Sequence, residues 1–162
     1  MMQGILDIKI ARKLAEADDL VKSSDLYDQA RGAEAVGFWE TALKLTAEKS
    51  LAELRAWLQE EINAAGAEMD RLEPKVFNKQ DWEPKAQRWA FFHRRSNRLY
   101  EFLELTCQAL QTAGFKEILL AADQIIVIDR RGRQVRLDGD YNPIEGNLNV
   151  AASYREALGI KF

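Results

Sequence analysis

Between Lys85 and Arg98 the chain carries Lys85, Arg88, Arg94, Arg95 and Arg98 with no acidic residue, interleaved with Trp89, Phe91, Phe92 and His93. Guanidinium groups bond carboxylates and phosphates in bidentate fashion, and an aromatic ring beside them offers a flat face for a base or an apolar anchor. At 100° per residue Arg88, Phe91, Arg94, Arg95 and Arg98 fall on one arc of a helix, with Trp89, Phe92 and Leu99 on the adjoining apolar arc. Arg130, Arg131, Arg133 and Arg136 form a second basic cluster. If the two clusters share a face, they make a docking surface for an acidic protein or a nucleic-acid backbone. The competing expectation is internal. The remainder of the chain is strongly acidic, and its carboxylates can pair with the same arginines.

Other chemistries find less support. His93 is the only histidine and Cys107 the only cysteine, so a multi-histidine metal centre, a multi-cysteine metal site and an internal disulfide are excluded. On one helix those two lie fourteen residues apart, roughly 21 Å by the helical rise, and cannot form a catalytic pair. Cys107 reads as a small apolar core residue, and Ser96 near His93 lacks an identifiable third, orienting group. No glycine-rich phosphate loop occurs. Asp138-Gly139-Asp140-Tyr141-Asn142 begins like a calcium loop, but Pro143 stands where glycine is needed and Asn149 where a bidentate glutamate should close the shell. A solvated turn is expected there. Glu73-Pro74-Lys75 and Glu83-Pro84-Lys85 read as helix ends rather than as a nuclease motif, because proline suits a strand poorly. An enzyme remains an alternative without a located centre, and no cofactor or metal is implied.

The totals bound these readings. The chain has 162 residues, 47% of them apolar and 30% charged, with a net charge of −3. A single domain over 1–162 is expected, with a helical part over 1–114 and a meander with a terminal helix over 115–162. So small a negative charge attracts neither nucleic acid nor anionic lipid to the whole molecule, so any such affinity needs a patch. No secretory pattern opens the sequence, and no apolar run reaches the roughly 20 residues that span a bilayer. The expectation is a cytoplasmic protein without a membrane partner.

The elements that position these residues are mostly helical. Ile5 to about Val21 favours helix, and Ser23, Ser24 and Asp25 offer an N-cap for a second helix reaching about Lys49. In it Ala35, Trp39, Ala42 and Leu43 have a small–large–small spacing that resembles the second helix of a tetratricopeptide repeat. No comparable set recurs about 34 residues later, so ordinary close helix packing is expected. Ser50 and Glu53 form a capping box for a third helix. Its stripe of Leu51, Leu54, Leu58, Ile62, Ala65, Met69 and Leu72 could pack internally or across a homodimer, internal packing being favoured. Glu73–Pro74 is expected to end that helix. Pro84 suits the first turn of a fourth, running to Ala113 with Gly114 as its stop. The third and fourth helices then form an antiparallel hairpin.

After Gly114 the pattern shifts to short Ile- and Val-rich runs, Ile118–Leu120, Gln124–Asp129 and Arg133–Leu137, with a helical turn over Lys116–Ala122 as the alternative to the first. Arg131–Gly132 marks a hairpin tip between the last two. Asp138 to Asn147 reads as a loop, and Asn149 as the cap of a last helix over Val150–Leu158. The fold class is therefore α+β and predominantly helical, with about five helices, a long antiparallel helical hairpin and a small C-terminal antiparallel β-meander. The function these observations favour is non-catalytic recognition by a regulatory, adaptor or inhibitor-type protein. It would dock an acidic protein partner through the arginines and Phe91, with nucleic-acid binding through the same face as the alternative.

Overall fold

The computed structural model describes residues 2–76, 82–121 and 123–160. Five helices and four strands follow in the order α1 (Met2–Val21), α2 (Leu26–Glu48), α3 (Leu51–Val76), α4 (Trp82–Thr112), β1 (Phe115–Ala121), β2 (Gln124–Asp129), β3 (Gln134–Asp138), β4 (Pro143–Gly146) and α5 (Leu148–Leu158). This is the predominantly helical α+β arrangement with a C-terminal meander that the periodicity predicts.

The helices pair as two antiparallel hairpins. Asp7 of α1 accepts the Thr46 hydroxyl of α2 at 2.7 Å, while Gly32 lies against Ala17, Leu20 and Val21. A Cβ on Gly32 would stand 2.6 Å from the Val21 nitrogen, so only glycine lets α1 and α2 approach this closely. In the second hairpin Glu61 of α3 meets Arg95 of α4, and Glu68 lies within electrostatic reach of Arg88. Lys9 and Lys13 of α1 reach Gln108 and Glu101 of α4, which joins the hairpins. The α3 stripe is consumed internally, because Leu54, Leu58, Ile62, Ala65 and Leu72 are all buried within the chain. That burial removes the argument for a coiled-coil homodimer. The polar connector expected at Asn78 to Asp81 lies outside the described residues.

Asp25, one of the expected caps, does cap α2 and accepts the Tyr27 and Asp28 N–H groups. Other boundaries differ from expectation. Pro74 does not end α3, which continues to Val76; the proline removes its own N–H from the helix, and only two residues follow it there. Asn147, not Asn149, caps α5, accepting the N–H groups of Asn149 and Val150. The expected loop over Asp138–Asn147 contains β4.

The sheet has strand order β1-β2-β3-β4, antiparallel throughout. Ile125, Val127, Val135 and Leu137 point to one face and pack with Val150, Ala151, Tyr154 and Leu158 of α5. The β3–β4 turn is the stretch that begins like a calcium loop. One oxygen of Asp138 accepts the N–H groups of Asp140 and Asn142, both at 2.9 Å, so that oxygen organises the turn. At the end of β4, Gly146 has φ +115°, and a Cβ there would meet the Gln134 oxygen at 2.6 Å.

A helical core around Trp39, Leu58, Leu99 and Phe102 and a sheet core around Val127, Val135 and Tyr154 meet at Leu51, which packs on both.

Candidate functional site

α4 presents its arginines toward α2 and α3, and there most of them meet carboxylates. Arg94 grips Glu34 with two bonds, Nε–Oε1 at 3.1 Å and NH2–Oε2 at 3.2 Å. Arg98, only 14% exposed, adds a 2.5 Å bond to the same carboxylate. Arg95 bonds Glu61 at 2.9 Å. Burial would raise the Glu34 carboxyl, but the hydrogen bonds and charges of Arg94 and Arg98 outweigh it and hold Glu34 below the ordinary glutamate range. Guanidinium groups free of the chain's own carboxylates are therefore not found at these three positions. The acidic partners that composition foreshadowed come from α2 and α3.

These pairs do not exhaust the arginines. A guanidinium carries five N–H donors. Arg95 uses one of them on Glu61 and Arg98 one on Glu34. Three guanidinium groups share two carboxylates, so the face keeps a positive excess. Arg88, further toward the start of α4, is exposed.

Beside the arginines lies a groove of about 230 Å³ lined by residues of α2 and α4, with Trp57 from α3. Phe38, Trp57, Phe91 and Phe102 line it together with Arg95, Arg98 and the carboxylate residue Glu34, which Arg94 and Arg98 already neutralise. The rings brace one another. Phe38 meets Phe102 edge-on at 6.4 Å, and Phe91 meets Phe92 edge-on at 5.3 Å. Phe91 is nevertheless 42% exposed, a large apolar ring held at a groove mouth. Gly37 on α2 leaves the opposite lip open, since a Cβ there would touch nothing within 4 Å. Phe38 and Trp57 were not singled out from sequence. Each neighbours a core position, Trp39 and Leu58, and both rings line the same groove.

The hairpin-tip arginines do not join this face. Arg130 donates to the Thr112 carbonyl at 2.7 Å, satisfying a free oxygen at the end of α4. Thr112 lies fourteen residues beyond Arg98, about 21 Å along the helix. Arg133 pairs with Asp129 and Arg136 with Glu145 across β3 and β4. Arg131 is exposed at the turn. The two basic clusters are separate surfaces.

His93 stacks on Trp89 at 5.0 Å and 9°, exposed on α4, and it does not line the aromatic groove. Cys107 is half-buried, and burial pushes its thiol up, away from the reactive thiolate. Its surroundings include a largely enclosed ion pair at the joint of helices and sheet, Arg55 of α3 with Glu117 of β1. Tyr154 of α5 also bonds that carboxylate. No signal marked Arg55 or Glu117 in the sequence, where both look like ordinary surface charges.

Compared with known proteins, the chain matches no family model, no curated protein and no solved structure.

Proposed function

We propose that this protein is a non-catalytic binding protein that holds an acidic segment of a partner protein in the aromatic groove. A large apolar side chain of the partner enters between Phe38, Trp57, Phe91 and Phe102, and flanking carboxylates bond the unused donors of Arg95, Arg98 and Arg88. The observation that carries this reading is the coincidence of an open aromatic groove with three arginines on two carboxylates. Buried aromatic and arginine contacts dominate the energetics of protein interfaces. The groove's volume lies below the 300–1,000 Å³ or so usual for small-molecule sites, which suits a side chain better than a whole ligand. Separation of the two basic clusters argues against a nucleic-acid track, which needs cations spaced continuously along a backbone.

The test is selection of a random peptide library on the protein. Enriched peptides should share a Phe, Trp or Leu flanked by Asp or Glu, and should lose affinity for Arg95→Glu and Trp57→Ala variants. Enriched peptides without acidic residues, or unaffected by both variants, would overturn the reading. So would a labelled single-stranded oligonucleotide that binds at low salt and competes with the peptides.

A further inference from the structure

A second cleft, about 440 Å³ in volume, opens where the helical and sheet cores meet and shares no lining residue with the aromatic groove. Leu6 of α1, Leu51 and Leu54 of α3 and Phe115 of β1 give it apolar walls. This volume falls in the range of sites for small ligands, and such sites combine apolar walls with a few placed polar groups. Two charged side chains line the cleft. Lys49 comes from the junction of α2 and α3, and Glu156 from α5. Among the described residues, neither side chain has a hydrogen-bond or ion-pair partner, in contrast to Arg94, Arg95 and Arg98 around the groove. Lys49 is half-buried and Glu156 exposed, so one charge sits deeper than the other.

We infer that this cleft binds a free α-amino acid with a large apolar side chain. The ligand carboxylate bonds the Lys49 ammonium, the ligand ammonium bonds the Glu156 carboxylate, and the side chain lies against Leu51, Leu54 and Phe115. An apolar cleft edged by one cation and one anion disfavours a simple anion or a simple cation, because each would meet one like charge. A zwitterion satisfies both. The Ser50 and Ser153 hydroxyls, also on the lining, offer further bonds to the two polar ends. This inference does not rest on the peptide-binding groove, and either can fail alone.

The experiment is titration of the nitrogen-15-labelled full chain with L-tryptophan, L-phenylalanine and L-leucine, followed by amide shifts. At least one should bind saturably with Kd below about 1 mM, shifting Lys49, Ser50, Leu51, Ser153 and Glu156. The matched analogues of tryptophan are tryptamine, which lacks the carboxylate, and indole-3-propionate, which lacks the ammonium. Each should bind about tenfold more weakly, the scale of one lost charged hydrogen bond. Lys49→Met should bind the amino acid more weakly and tryptamine at least as tightly as wild type, and Glu156→Gln should bind the amino acid more weakly and indole-3-propionate at least as tightly as wild type. Neither residue belongs to the helical or the sheet core. Absence of saturable shifts with all three amino acids, analogues as tight as the amino acid, or variants without effect would each overturn the assignment.

Discussion

Arg55 on α3 and Glu117 on β1 face each other in a two-bond ion pair, NH1–Oε2 at 2.7 Å and NH2–Oε1 at 2.5 Å, with both side chains about 15% exposed or less. Tyr154 of α5 donates to the same carboxylate. Three elements are thus fixed at one point between the helices and the sheet. Burial opposes charge on both partners. Burial would raise Glu117 and lower Arg55, yet the pair's mutual attraction reverses each, holding Glu117 low and Arg55 high. Tyr154 is kept protonated, first by burial and then by the neighbouring Glu117 charge.

Removing one partner of this pair leaves the other charged and enclosed. Glu117→Gln should cost about 3 kcal/mol in urea unfolding, whereas Arg55→Met with Glu117→Leu should lie much closer to wild type. Equal losses in the single and double variants would show that the contact is packing rather than charge.

Acid should unfold the protein through these carboxyls. Glu117 and Glu34 have folded values below their ordinary 4.5, so each binds fewer protons folded than unfolded near that pH. Their contribution is complete above about pH 4.5 and is lost as pH falls through the lowered folded values. Stability measured from pH 6 down to pH 3 should fall less steeply in Glu117→Gln than in wild type.

Glycine substitutions separate close approach from helix propensity. Gly32→Ala should destabilise by about 1–3 kcal/mol, because the new methyl meets α1 backbone atoms closer than 3.0 Å. Gly66→Ala, with nothing within 4 Å, should stabilise by about 1 kcal/mol. Thermal melts of the two variants check the opposite signs.

The arginines of α4 should rank by enclosure. Arg98→Met should lower stability by about 2 kcal/mol, the scale of a charged hydrogen bond in a partly enclosed site. Arg88→Met, at an exposed position, should stay within about 0.5 kcal/mol of wild type.

Local signals explain what was legible in the sequence. The Leu54–Leu58–Ile62 stripe, the capping positions and the switch to Ile and Val after Gly114 each constrain one element without reference to its neighbours, and they placed the helices and three strands. β4 escaped because four residues beginning at Pro143 carry no alternation, and its pairing with β3 depends on the Asp138 turn and Gly146. The arginine face was visible as composition, but its pairing was not. Which carboxylate meets Arg95 or Arg98 depends on helix register between α2, α3 and α4, and no single-sequence period encodes that. The groove was invisible for the same reason, since Phe38, Trp57 and Phe91 come from three helices.

The binding proposal is tested most directly by mapping an acidic, apolar-centred peptide from the library onto the labelled protein. Shifts concentrated at Gly37, Thr41, the Trp57 indole and the Arg95 side chain, abolished in Arg95→Glu, are the predicted result. A peptide that leaves those groups unmoved, or that perturbs only the sheet, would contradict a docking site in the aromatic groove.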